Sequence, residues 1–203
     1  MADDLAVAVD YLKQWKFSSL AKPGSLLPKL EFSGPAARNY YLKNSQVRKF
    51  LQHEEQRWGI NLGWTDDAEP STAGKVTRWF LARNGTGNSP LKYGETLALG
   101  NGNQPSYVRH EVRDFGIDLA YARTPAFEWR ILGGEVGEPI DPNEYAALYN
   151  TDIDEFLIHF DRDVGANLGW PSSKRWADQI GDRISTAVKK NLKKAYADFV
   201  GSE

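Results

Sequence analysis

Residues 42–64 read LKNSQVRKFLQHEEQRWGINLGW, and the same pattern returns without a gap at 99–121 (LGNGNQPSYVRHEVRDFGIDLAY) and 148–170 (LYNTDIDEFLIHFDRDVGANLGW). All three histidines of the chain, His53, His110 and His159, hold the same place in these blocks. An aromatic stands three residues before each (Phe50, Tyr107, Phe156) and an aliphatic two before (Leu51, Val108, Leu157). Gly59, Gly116 and Gly165 follow at plus six, Leu62, Leu119 and Leu168 at plus nine, and Trp64, Tyr121 and Trp170 close the blocks. Asn44, Asn101 and Asn150 stand nine residues ahead. Self-similarity at this density is a repeat architecture and takes precedence over local signals.

The repeat extends upstream. Trp15, Trp79 and Trp129 each open an apolar stretch, WKF, WFL and WRI, and Pro90–Glu95 matches Pro139–Glu144. One unit is a Trp strand, a loop, a strand ending in Leu-x-Asn, a strand carrying the His, and a strand ending in Leu-[Gly/Ala]-[Trp/Tyr]. These segments are short, rich in aromatic and aliphatic residues, and broken by Gly, Pro and Asn, which are strand and turn signals. The units run over about 15–64, 79–121 and 129–170, the first lengthened by a Pro/Gly-rich insertion at 22–35.

The flanks differ. Residues 1–14, with Leu5, Val9 and Leu12 at helical spacing, form a short candidate helix. In 171–203, Trp176, Ile180, Ile184, Val188, Leu192, Tyr196 and Phe199 recur every three or four residues, one apolar stripe on a long amphipathic helix. That segment carries seven Lys or Arg against four Asp or Glu, so it is +3 while the rest of the chain is −5.

Composition excludes several classes. The 203 residues suffice for a real core, and no apolar run approaches the length that spans a bilayer. A net charge of −2 gives no argument for nucleic acid. Cysteine is absent, which removes disulfides and thiol chemistry. The N-terminus lacks a basic n-region and a cleavage site, so the expectation is no signal peptide and a cytoplasmic or leaderless protein. No nucleophile elbow, His-Glu-x-x-His or phosphate-binding glycine loop occurs, so no enzyme, cofactor or metal is expected.

Twelve short strands in three equivalent four-strand units resemble the β-trefoil superfamily, over residues 15–170. The ricin-type Gln-x-Trp is missing; its places read Asn61-Leu62-Gly63-Trp64, Asp118-Leu119-Ala120-Tyr121 and Asn167-Leu168-Gly169-Trp170. A three-bladed or prism-like assembly is the alternative architecture that threefold repetition allows. The fold expected is thus mainly β, trefoil-like, with a short N-terminal and a long C-terminal helix.

Trefoils are often lectins, and the resemblance implies up to three sugar sites. Their candidate residues are Trp64, Tyr121 and Trp170 for stacking and Asn61, Asp118 and Asn167 for hydroxyls. The same aromatics read most simply as core. His53, His110 and His159 share a strand face with Leu51, Val108 and Leu157. An inward face makes the imidazoles semi-buried and structural. An outward face makes them ligand contacts, and convergence on the threefold axis would make a three-histidine metal site. At plus five and plus seven the third copy departs, with Val164 and Ala166 where the others have Trp58, Phe115, Ile60 and Ile117.

The expected function is carbohydrate binding, as the targeting part of a toxin or defence system, with a glycan or glycoconjugate as partner. The first alternative is a membrane-active or pore-forming toxin component in which 171–203 meets a membrane surface. The second is a protein-binding scaffold, with 171–203 serving a partner protein or a homodimer.

Overall fold

A computed structural model of the protein describes residues 9–19, 37–66, 77–85, 89–102, 106–162 and 165–171. Twelve strands follow in order: β1 (Trp15–Ser19), β2 (Ala37–Asn44), β3 (Leu51–His53), β4 (Leu62–Trp64), β5 (Trp79–Arg83), β6 (Thr96–Asn101), β7 (Ser106–His110), β8 (Leu119–Ala122), β9 (Trp129–Leu132), β10 (Tyr145–Asn150), β11 (Glu155–His159) and β12 (Leu168–Gly169). β1, β5 and β9 start at the repeated Trp, β2, β6 and β10 end at the repeated Asn, and β3, β7 and β11 end at the His.

Six of these strands close into an antiparallel barrel, β1–β2–β5–β6–β9–β10, with β10 returning to β1. Closure leaves the barrel no free edge, which strands this short could not otherwise protect. The register recurs. Trp15 pairs with Asn44, Trp79 with Asn101 and Trp129 with Asn150. Between units, Trp79 pairs with Tyr40, Trp129 with Leu97 and Trp15 with Ala146. The other six strands form three hairpins, β3–β4, β7–β8 and β11–β12, in which His53, His110 and His159 face Leu62, Leu119 and Leu168.

The barrel fills with equivalent residues. Trp15, Trp79 and Trp129 make one fully buried set; Leu42, Leu99 and Leu148 make another. Leu51, Val108 and Leu157 with Leu62, Leu119 and Leu168 close the interior below the hairpins. Each indole N–H donates to a carbonyl of the preceding unit: Trp15 to Leu157 O at 2.7 Å, Trp79 to Leu51 O and Trp129 to Val108 O, both at 2.8 Å. A large apolar ring and an obligatory polar contact thereby tie each unit to its neighbour.

Asn44, Asn101 and Asn150 are wholly buried at the strand-to-turn corners. Asn44 Oδ1 accepts from Gln46 N and Asn150 Oδ1 from Asp152 N, both at 2.9 Å, the backbone-capping role that Asn takes at turns. The aromatics at minus three lie on the other strand face. Tyr41–Phe50, Phe80–Tyr107 and Tyr149–Phe156 meet edge-on outside the barrel.

The short helix expected over 1–14 is, among the described residues, a single turn at 9–12, followed by a tight turn in which Gln14 N donates to Leu12 O at 2.9 Å. Residues 1–8 lie outside the described residues, as does the long helix expected over 171–203, except for Pro171.

Candidate functional site

The hairpin loops begin just after each histidine and are built alike. Asn61 Oδ1 accepts from Gln56 N (3.1 Å), Asp118 Oδ1 from Arg113 N (2.9 Å) and Asn167 Oδ1 from Arg162 N (3.1 Å). The three side chains expected to hold sugar hydroxyls therefore close their own loops. Gly59, Gly116 and Gly165 follow the bend at φ of 86°, 87° and 83°, where only Gly is unstrained. Two of them also approach each other between hairpins: a Cβ on Gly116 would stand 3.1 Å from Gly59 Cα. Arg162 Nη2 reaches from the third loop to Gly116 O at 2.5 Å. All three loops meet at one pole of the barrel.

Beneath the pole runs a belt of rings. His53 lies against Tyr121 (6.0 Å between centroids), His110 against Trp170 (6.4 Å) and His159 against Trp64 (5.9 Å), each pair joining two units. Trp64 stacks on Trp15 at 6.1 Å and Trp170 on Trp129 at 6.3 Å. Tyr121 donates its hydroxyl to Asn61 O at 3.2 Å, and burial pushes that hydroxyl's pKa up, keeping it a donor. The closing aromatics are thus interior: Trp170 is buried and Trp64 and Tyr121 are half-buried on the core. Alternation put each histidine on the face of Leu51, Val108 or Leu157, and that face is the inner one.

The imidazoles differ in their surroundings. His53 is buried and His159 nearly so; desolvation lowers both pKa values, against the weaker raising pull of Glu55 on His53 and of Asp161 on His159. His110 instead holds Asp152 Oδ2 at its Nδ1, 2.7 Å away. Its backbone N–H donates to Glu128 Oε1, which also accepts from Asn150 Nδ2 at 2.9 Å. Gln14 does the same work at the equivalent place, accepting from His159 N at 2.8 Å and from Asn44 Nδ2 at 3.3 Å. Among the described residues no three His, Asp or Glu stand together as a metal site.

Glu128 is a carboxylate doing an amide's job. Burial raises its pKa above the usual 4.5, more than its two hydrogen bonds lower it. A raised folded pKa means its contribution to stability is complete below pH 4.5 and is lost as pH rises through the folded value. Glu128→Gln should therefore stabilise the fold at neutral pH, by up to about 1 kcal/mol. Urea titrations at neutral pH and near pH 4 check this: the gain should shrink at the lower pH.

Solvent-facing aromatics lie elsewhere on the loops, five residues after the histidine. Trp58 is 53% exposed and Phe115 68%, their rings 6.2 Å apart at 52° across the first two loops. Val112 beside them is 80% exposed. Isolated apolar side chains on a surface are ordinary; here three of them line one opening. A cavity of about 470 Å³ opens there, lined by Arg57, Trp58, Glu111, Val112, Arg113, Asp114 and Phe115. The Arg57 guanidinium lies over Trp58 at 5.7 Å, and Glu111 pairs with Arg109 at 2.5 Å. No family model, curated protein or solved structure matches this chain. The pole's chemistry therefore rests on its own residues.

The signal in the sequence was divergence. Trp58 and Phe115 occupy a repeat position that a third copy fills with Val164, whereas the belt and the loop-closing Asx positions hold their type in every copy. A position that symmetry does not constrain is free to serve a ligand.

Proposed function

We propose that the chain is a carbohydrate-binding protein of the β-trefoil class and that its sugar site is the pole cavity between the first two hairpins. The six-stranded barrel, the three hairpins and their recurring register support the trefoil reading. The observation that carries the binding reading is the juxtaposition of Trp58 and Phe115 with charged groups around one open cavity. A pyranose presents an apolar C–H face and a rim of hydroxyls. Exposed rings take the first, while Arg57, Arg113 and Asp114 offer donors and acceptors to the second. Trp64, Tyr121, Trp170, Asn61, Asp118 and Asn167 act behind the site as its scaffold.

A glycan array on the full chain, with competition by free sugar, tests this. Trp58→Ala should cost about two- to tenfold in affinity, since a lost stacking contact is worth about 0.5–1.5 kcal/mol. Phe115→Ala should act likewise, and both melting temperatures should stay near the parent's because the rings are exposed. Silence on the array would sink the reading. Capture by anionic vesicles that needs Trp58 and ignores sugar would replace the glycan with a membrane surface. No helix among the described residues is long and apolar enough to cross a membrane.

A further inference from the structure

The three hairpins are joined to one another through the belt below the pole. His53 of β3 rests on Tyr121 of β8, His110 of β7 on Trp170 after β12, and His159 of β11 on Trp64 of β4. The contacts run first hairpin to second, second to third, third to first, so the ring is closed. Each histidine is also the last residue of its strand, and the loop forming the pole begins at the next residue. Whatever moves the imidazole moves the root of the loop.

We infer that this belt is a proton-operated latch: neutral imidazoles hold the loops in the geometry that forms the pole cavity, and protonation in mildly acidic surroundings releases them. The inference rests on the reading of the pole as a binding site. Its basis is packing. An imidazole pressed against a neighbouring ring inside the fold has little water to solvate a positive charge.

The charged groups facing each ring set which hairpins respond. His53 meets Tyr121 from β8 and feels Glu55 on its own loop. His159 meets Trp64, with Asp161 Oδ1 3.6 Å from its Nε2 and the neutral Gln14 amide on its backbone N–H. At both, burial outweighs the carboxylate and holds the neutral form. His110 is placed differently, with Asp152 at its Nδ1 and Glu128 accepting from its backbone N–H. The first and third hairpins are the ones that loosen, and Trp58 belongs to the first.

An opened loop frees its imidazole to titrate near the ordinary 6.5. One pH unit below that, each freed histidine favours the open form by at most about tenfold, because the closed form resists the proton.

Hydrogen–deuterium exchange on the ligand-free full chain tests the latch, comparing loop amides 54–61 and barrel-strand amides at about pH 7.5 and about pH 5.5, with intrinsic rates divided out. Loop protection should fall about tenfold for one histidine at the lower pH while barrel protection holds, and glycan affinity, measured separately, should fall over the same pH range. In His53→Gln/His159→Gln the profile should flatten; Glu128→Gln, which changes only a carboxylate, should keep it. Should the double variant fail to fold, His159→Phe retains a ring against Trp64 and should lose the response at amides 160–162 and 165–167. Equal protection at both pH values in the parent, or an unchanged response in the histidine variants, overturns the latch. Absence of any glycan binding at neutral pH would overturn the proposed function, with the exchange data still deciding the latch.

Discussion

Trp79→Ala should bring the chain to the edge of unfolding. The side chain is fully buried at the junction of the first and second units, where removing an aromatic of this size costs about 3–5 kcal/mol. The loss is not only volume. Trp79 Nε1 satisfies Leu51 O, a buried carbonyl at the root of the first hairpin, and an orphaned buried acceptor adds about 1–3 kcal/mol. Domains of this kind have only about 5–15 kcal/mol in total, so the variant should lose most of its urea resistance. Trp79→Phe separates the two terms, keeping most of the apolar area while leaving Leu51 O without its donor. It should fall between parent and alanine variant. A Phe variant as stable as the parent would mean that the indole hydrogen bond does not matter to the junction.

Gly116→Ala is the second large effect, and it acts through backbone alone. The residue sits at φ 87°, a conformation that L side chains rarely adopt, and its Cβ would meet Gly59 Cα at 3.1 Å. Nothing there can rotate aside, because the obstacle is main chain of another hairpin. Left-handed strain of about 1–2 kcal/mol and a forced separation of the loops of about 1–2 kcal/mol give roughly 2–4 kcal/mol together. Gly137→Ala is the control. It has φ 90° with nothing within 4 Å of a Cβ, so it should show the conformational part only. Equal losses at the two positions, measured by thermal or urea unfolding, would show that the loops tolerate being pushed apart. The larger loss at Gly116 should come with weaker ligand binding, since Trp58 and Phe115 immediately precede the two glycines.

The same pair of glycines shows how far the chain could be read without its structure. Their recurrence at plus six marked a turn or a close approach, and both hold. That the close approach is to the equivalent glycine 57 positions away needed the loops brought together. The closing aromatics teach the converse. Trp64, Tyr121 and Trp170 could be platform or core on sequence grounds, and the belt with its stacked partners Trp15 and Trp129 makes them core. The Asx residues beside them were legible as polar groups near a turn. Their capture by loop N–H groups depends on how tightly each loop bends.

By itself the sequence determined the period, the strand positions and the residues that must be alike in each unit. These are local properties: alternation, turn residues and repetition are carried by neighbours along the chain. Only the tertiary structure decided that the barrel closes by joining β10 to β1, and which of the two strand faces is the inside. It alone set the histidines of one hairpin against the aromatics of the next, and left Trp58 and Phe115 in solvent. Alternation divides a strand into two faces without naming the buried one, and contacts between hairpins join residues between which the sequence shows no connection.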